Sequence, residues 1–198
     1  MNDLIQQIKI LNQDEVDKLN SHIDTLKFKE STVFGDGQTE NTIYNPDVRT
    51  SSGTSLLETH ELTLNFHNKI NQGLDEYKKR LVNINEIFSY YPVPGGYDTH
   101  SWREDIQVLE YEKNQEYKFH HDVANYKKMY GFYRTISVIV YLTNNFEGGG
   151  TLFPHMRYKP EPGYALIFPS NWCYPHAGEL VTEGIKRVAV TWYYVELN

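Results

Sequence analysis

The sequence predicts a mainly β protein with flanking helices (an α+β fold), in which N-terminal helices back an antiparallel double-sheet roll. Helical patterns are confined to residues before about 82. Short strand patterns dominate from residue 106 onward, separated by Gly, Pro and Asn turns. At 198 residues the chain can form one sizeable core, and its composition marks no second one, so we expect a single domain over residues 1–198.

Local signals predict the N-terminal elements. Residues 4–11 predict a short strand. Asn12 is a candidate N-cap with Glu15 at the capping-box position, which predicts a helix through about Lys27. A second helix is expected over residues 55–82, where apolar residues recur near helical spacing. They are Leu57, Leu62, Phe66, Ile70, Leu74 and Tyr77.

The remaining pattern predicts strands and three long connections. The strands are expected over residues 106–111, 117–123, 136–143, 150–154, 164–168 and 186–196. The connections are residues 30–52, 92–101 and 124–133. The first two are rich in Gly, Asn, Asp, Thr or Pro and too long for simple turns, which suggests lids or binding loops. We therefore expect the functional site to lie beside these connections.

Two histidines and one aspartate form a candidate metal site. Strand alternation sends His120 and Asp122 to one face and His121 to the other, so His120 is the favoured ligand and His121 the alternative. His176 is the third candidate. Two imidazoles and a carboxylate on one side of a metal leave positions open on the other, which is typical of non-haem Fe(II) oxygenases.

Charge and cysteine content narrow the function classes. The net charge of -7 offers no broad basic field, so nucleic acid is not an expected partner. The single cysteine, Cys173, excludes an internal disulfide framework, and we interpret it as a small semi-buried residue and not as a metal ligand. The N-terminal segment lacks a basic start and an apolar run, so we expect a cytoplasmic protein with no membrane span.

These residues resemble a known family, the 2-oxoglutarate and Fe(II)-dependent dioxygenases, and among them the prolyl 4-hydroxylases. The resemblance covers nearly the whole chain, and its segments occur in order. They are residues 48–54 (VRTSSGT), 107–111 (QVLEY), 117–122 (YKFHHD), 134–142 (RTISVIVYL), 148–154 (GGGTLFP) and 176–192 (HAGELVTEGIKRVAVTW).

The resemblance implies a double-stranded β-helix (a jelly roll) that binds Fe(II) through His120, Asp122 and His176. It implies that 2-oxoglutarate and O2 are co-substrates, that succinate and CO2 are released, and that ascorbate is the reductant. Lys186 matches the lysine that binds the distal carboxylate of 2-oxoglutarate, with Tyr111 and Thr151 as its companions. Alternation in the last strand puts Lys186 and Trp192 on one face and the competing cation, Arg187, on the other.

The resemblance also implies a substrate, a proline-containing protein or peptide hydroxylated at C4 of proline. The peptide-binding positions of the family fall on Arg49, Ser51, Glu104, Tyr117, Arg134 and Trp192. Such a set suits an extended or polyproline II segment held against aromatic walls. Each position also has an alternative interpretation as a solvated charge or a core aromatic.

Departures from the family pattern leave other functions open. Tyr194 lies where many members carry histidine, Gly150 replaces the glutamate of the usual Gly-Gly-Glu-Thr, and the connection at residues 92–101 looks longer than usual. The alternative substrates are another side chain, a free amino acid or a small metabolite. A nucleic-acid demethylase would require an arginine anchor and a basic groove, and a non-catalytic jelly-roll module would not be expected to retain all three ligands.

Overall fold

The computed structural model describes residues 2–34, 42–89, 102–123 and 132–196. Its helices are α1 (Gln13–Ile23) and α2 (Glu61–Ile84), with short 3-10 turns at Asn2–Leu4 and Glu86–Ser89. Its strands are β1 (Gln6–Lys9), β2 (Lys29–Glu30), β3 (Val33–Phe34), β4 (Thr42–Ile43), β5 (Ser52–Ser55), β6 (Trp102–Arg103), β7 (Gln107–Tyr111), β8 (Tyr117–His120), β9 (Phe132–Tyr141), β10 (Phe146–Gly148), β11 (Thr151–Phe153), β12 (Met156–Tyr158), β13 (Tyr164–Pro169), β14 (His176–Gly178), β15 (Val181–Gly184) and β16 (Lys186–Glu196).

Two larger antiparallel sheets and two two-stranded sheets contain these strands. The large sheet has eight strands in the order β1-β13-β9-β16-β7-β5-β2, with β6 paired to β16. The small sheet has the order β12-β11-β14-β8, and β10 pairs with β15 and β3 with β4. Both helices pack on one face of the large sheet, where Phe66 and Ile70 of α2 share a buried apolar cluster with Val138 of β9. The other face contributes Leu109, Tyr141 and further buried residues to the inner cores, so the expected mainly β fold with N-terminal helices is confirmed.

The first helix begins where its cap predicts and ends early. The Asn12 side chain accepts from the backbone of Glu15, and the Glu15 carboxylate accepts from the backbone of Asn12, so the expected capping box is confirmed. The helix ends at Ile23 and not near Lys27. Val16, Leu19 and Ile23 form its buried face, and no buried apolar residue extends that face toward Lys27.

The predicted start of the second helix is wrong. Residues 52–55 form β5, which pairs with β7, and the helix begins at Glu61 with His60 as its N-cap. Leu57, which we included in the helical apolar pattern, precedes the helix and is 70% exposed. No described helix has the length and apolar character that crossing a membrane requires.

Several other predicted bounds shift. The 4–11 strand shortens to Gln6–Lys9, β8 ends at His120 before Asp122, and β9 begins earlier than residue 136. The 30–52 connection is not structureless, because it contains the β3 and β4 hairpin. Residues 92–101 lie outside the described residues, as do 35–41 and 124–131 of the other two long connections.

Candidate active site

The structure brings His120, Asp122 and His176 together at the end of the small sheet. His120 ends β8 and faces His176, the first residue of β14, across the antiparallel pair. Asp122 follows two residues after His120. One ligand atom from each residue lies within 4.8 Å of the other two, and the His120 and His176 Nε2 atoms are 3.5 and 3.6 Å from the Asp122 oxygens.

Backbone carbonyls orient both imidazoles. The His120 Nδ1 lies 2.8 Å from the Lys118 carbonyl, and the His176 Nδ1 lies 3.2 Å from the Tyr174 carbonyl. When each Nδ1–H donates to its carbonyl, each Nε2 presents a lone pair to the centre of the triad. His121, the alternative ligand, is exposed and is not in this cluster.

Asp122 is buried and ionised. The Ser137 hydroxyl donates to its Oδ2 at 2.6 Å and also contacts the Ser170 hydroxyl at 2.8 Å. Burial opposes the carboxylate, but the imidazoles of His176 and His120 and the Ser137 hydroxyl outweigh it, so the pKa of Asp122 lies well below its ordinary value. Burial lowers the pKa of His176 to about 4, so its ring is neutral near pH 7.

Aromatic rings enclose the triad. Tyr117 stacks on His120 with ring centroids 3.7 Å apart. Phe168 meets the His176 ring at 4.8 Å and Phe153 lies 5.7 Å from it. These apolar walls limit water around a bound metal. Two imidazoles and one carboxylate with preset orientations fit Fe(II), and they leave its remaining positions to other ligands.

Lys186 supplies a buried cation on the face of the large sheet that is opposite the helices. It is 3% exposed, and its ammonium lies 5.0 Å from the Tyr111 ring centre and 5.4 Å from that of Tyr141. Burial lowers the pKa of Lys186 to about 7, against the opposing effect of Glu179. Within the described part of the chain, Lys186 forms no ion pair with a carboxylate. Its ammonium therefore fits the carboxylate of an incoming ligand.

The Thr151 hydroxyl beside this cation bonds to Tyr141, a residue that our sequence analysis did not single out. Their hydroxyl oxygens are 2.8 Å apart and both residues are buried. Alternation along β9 could have identified Tyr141, because it shares a face with Ser137. Arg187 points to the helical side, where it bonds with Glu110 and Asp24.

Two cation and aromatic pairs contain the candidate substrate residues. The Arg49 guanidinium lies 4.9 Å from the Tyr117 ring centre, and its Nε donates to the Ser51 hydroxyl at 2.8 Å. The Arg134 guanidinium lies 3.7 Å above the Trp192 ring and makes two hydrogen bonds to the Glu104 carboxylate. Because Tyr117 also stacks on His120, the first pair adjoins the triad directly.

The chain's departures from the family pattern lie at different places. Gly150 has no space for a side chain, since a Cβ there would lie 2.9 Å from the Tyr158 carbonyl oxygen. Tyr194 pairs with Arg134 across β9 and with Trp102 of β6. Cys173 is half-buried, donates its backbone N–H to Asn171, and is not in the metal-binding cluster of the described residues.

Sequence comparison gives a consistent family. The model of the 2OG-Fe(II) oxygenase superfamily matches residues 106–195. A putative prolyl 4-hydroxylase of Acanthamoeba polyphaga mimivirus is 29% identical over 192 residues, which cover 88% of this chain and 72% of the relative. Prolyl 4-hydroxylase 1 of Arabidopsis thaliana is 38% identical over 172 residues, covering 74% and 53%. The chain thus spans about half the length of the plant relatives it matches.

Solved structures share the fold. The viral collagen prolyl hydroxylase of Paramecium bursaria Chlorella virus-1, solved with 2OG, aligns with a TM-score of 0.67 at 22% identity over 96% of each chain. A Trichoplax adhaerens prolyl hydroxylase, solved with a hypoxia inducible factor peptide fragment, gives 0.68 at 16% identity, covering 97% of this chain and 84% of its own. The expected double-stranded β-helix is therefore confirmed.

Fold and triad together resemble those of the 2OG-Fe(II) oxygenase superfamily, the class whose model matches residues 106–195. Within that superfamily, the sequence is similar to prolyl 4-hydroxylases.

Proposed function

We propose that this enzyme hydroxylates proline at C4 within a peptide, consuming 2-oxoglutarate and O2 and releasing succinate and CO2. Fe(II) with these co-substrates supplies the oxidation of an unactivated C–H bond. His120, Asp122 and His176 would hold the metal, and ascorbate would keep it reduced. Lys186 would bind the distal carboxylate of 2-oxoglutarate beside Tyr111 and the Tyr141 and Thr151 hydroxyls. A charge-assisted bond of this kind contributes roughly 1.5 to 3 kcal/mol.

One observation carries the peptide part of the proposal. Arg49 is 8% exposed, and its buried Nη2 has no hydrogen-bond partner among the residues that the structure describes. A buried unpaired donor costs free energy, so the site favours a ligand that brings an acceptor. Arg49 contacts Tyr117, which stacks on His120, and a peptide carbonyl is an acceptor that would reach this donor while a side chain faces the metal. Trp192 and Tyr117 offer flat faces to a polyproline II segment.

The test is incubation with proline-containing peptides, Fe(II), 2-oxoglutarate and ascorbate, followed by mass spectrometry for a one-oxygen gain on proline. His176→Ala is the inactive control and His121→Ala the active one. The expected result is peptide oxidation matched by succinate release. Succinate release stimulated by a free amino acid or small metabolite, with unmodified peptides, would reject the peptide substrate and retain the oxygenase.

A further inference from the structure

Glu179 and Arg157 form an ion pair that is bonded to the backbone of Gly150. The Glu179 Oε2 accepts hydrogen bonds from the Gly150 N–H at 3.0 Å, from the Arg157 Nε at 2.9 Å and from its Nη2 at 2.7 Å. The Glu179 N–H in turn donates to the Gly150 carbonyl at 2.8 Å. Glu179 directly follows β14 and Gly150 directly precedes β11, so this clamp joins the two strands at one end.

The clamp occupies the place that a side chain at residue 150 would need. A Cβ on Gly150 would lie 3.2 Å from the Glu179 Oε2, 3.2 Å from the Arg157 Nε and 2.9 Å from the Tyr158 carbonyl oxygen. The carboxylate at this corner of the small sheet therefore comes from Glu179 and not from residue 150. This accounts for the glycine at a position where the family motif has glutamate.

Both strands joined by the clamp contain or adjoin residues that surround the Lys186 ammonium, and we call this space the Lys186 pocket. Thr151, next to Gly150, bonds to the Tyr141 hydroxyl, and the Tyr141 ring lies beside the Lys186 ammonium. A Cβ on Gly178, next to Glu179, would lie 3.8 Å from the Lys186 Nζ. A shift of either strand end would therefore move the walls of the pocket.

We propose that Glu179 is a positioning residue that holds the Gly150 and Thr151 backbone through hydrogen bonds and thereby shapes the site that takes the co-substrate. The inference rests on the 2-oxoglutarate part of the proposed function and not on the peptide part. Glu179 itself does not contact the co-substrate.

The charge of Glu179 has a separable effect on pH dependence. The groups around the Lys186 ammonium are the Tyr111 and Tyr141 phenols, the His176 imidazole and the Glu179 carboxylate. Glu179 raises the pKa of Lys186 against the larger lowering by burial. Co-substrate affinity should be full below the pKa of Lys186 in the free protein and should fall as the pH rises through it. Removing the Glu179 charge should move this fall to lower pH.

The experiment measures 2-oxoglutarate binding to the Mn(II)-loaded protein by calorimetry from pH 6 to 9. Glu179→Ala should weaken binding about tenfold even at the lowest pH, because the Gly150 N–H loses its acceptor. Glu179→Gln keeps an acceptor and should bind within about twofold of wild type at that pH. In both variants the loss of affinity should begin at lower pH. Glu183 is an exposed glutamate on β15, and Glu183→Ala is the matched control. It should change neither the affinity at the lowest pH nor the pH at which affinity begins to fall.

The outcomes separate this inference from the proposed function. If Glu179→Ala binds 2-oxoglutarate as tightly as the wild type across the pH range, the positioning role is overturned. Equal weakening in both variants with an unchanged pH profile would also overturn it, since that pattern indicates a structural defect alone. No binding of 2-oxoglutarate by the wild-type protein would instead reject the proposed co-substrate. If Glu179→Ala fails to fold, Glu179→Gln still tests the shift in pH profile.

Discussion

At the scale of single residues, His120 and His176 are set apart from His121 by their backbone contacts. Their Nδ1 atoms are held at carbonyl oxygens, whereas His121 is exposed beyond the end of β8. Replacing His120 with alanine should therefore abolish detectable Mn(II) binding, because a metal missing one of three protein ligands is held weakly. Calorimetric titration with Mn(II) measures this. His121→Ala is the control. If His121→Ala fails to bind Mn(II) while His120→Ala binds it, the assignment of His120 as the ligand is wrong.

Lys186 and Arg187 are neighbours in sequence, but only the replacement of Lys186 should impair ligand binding. Lys186→Met removes the buried partner of the distal carboxylate and should abolish the rise in melting temperature that 2-oxoglutarate gives the Mn(II)-loaded protein. Arg187→Met should keep that rise. It should, however, lower stability by about 2 kcal/mol, since it leaves Glu110 and Asp24 without their guanidinium. Comparable losses of ligand response in both variants would contradict the strand alternation.

The same lysine should make the ligand-free protein less stable, with a defined pH dependence. Burial holds the pKa of Lys186 at about 7, below its ordinary value of 10.5, so the unfolded chain binds more protons between these values. The contribution of Lys186 to stability therefore improves as the pH rises from about 7. Without ligand, Lys186→Met should be more stable than wild type near pH 7, and urea titrations should show the difference shrinking toward pH 10. A difference that grows with pH would contradict the assigned burial.

Residues whose placement follows from donor chemistry and strand alternation could be predicted from the sequence. His120, His176 and Lys186 are of this kind. Asp122 reaches the triad although β8 ends before it, so for this residue the strand argument reached the correct placement through a wrong strand end. Ser137 and Tyr141 were missed because their roles depend on partners far along the chain, Asp122 and Thr151.

At the scale of elements, the bulge between β9 and β16 positions Arg134. Tyr193 pairs with Ile136 but Tyr194 pairs with Arg134, so Thr135 is the extra residue. Plain alternation would send Arg134 to the helical side with Ile136. The bulge instead brings its guanidinium over Trp192, as bulges commonly redirect side chains near active sites.

Sequence alone does not indicate this bulge, and the wrong start of α2 has a similar origin. The apolar residues from Leu57 to Tyr77 recur near helical spacing as a series, yet residues 52–55 are extended because they pair with β7. Both features depend on partners distant in sequence, whereas the capping box of α1 is local and was predicted correctly.

Packing of α2 on the large sheet gives an element-scale prediction. Alanine usually stabilises a helix interior relative to glycine by about 1 kcal/mol. Gly73 should behave oppositely, because a Cβ there would lie 2.7 Å from the Ile10 Cγ2. That methyl belongs to a stiff β-branched side chain in the core, so overpacking should dominate. Gly73→Ala should lower the melting temperature, while Asn68→Ala, an exposed position on the same helix, should leave it level or raise it. A stabilised Gly73→Ala would refute this contact.

At the scale of the whole molecule, the candidate peptide groove is assembled from segments that are distant in sequence. Arg49 precedes β5, Glu104 follows β6, and Arg134 and Trp192 lie in β9 and β16. The candidate metal ligands lie on and next to the small sheet, and Lys186 lies at the start of β16. Because different side chains line the groove and hold the metal, peptide recognition and co-substrate turnover should be separable by mutation.

Trp192 is the residue at which this separation should be clearest. Trp192→Ala removes the flat face on which Arg134 stacks, and it should weaken peptide-coupled hydroxylation by about tenfold, the loss expected for an aromatic contact of 1 to 2 kcal/mol. Uncoupled conversion of 2-oxoglutarate to succinate and Mn(II) binding should stay within about twofold, because Trp192 contacts neither the triad nor the Lys186 ammonium in the described contacts. Trp192→Phe should restore part of the coupled rate, and Trp172→Ala, at a 75% exposed tryptophan, controls for general loss of an indole. Equal decline of coupled and uncoupled turnover in Trp192→Ala would place this residue in the co-substrate machinery and remove it from the peptide groove.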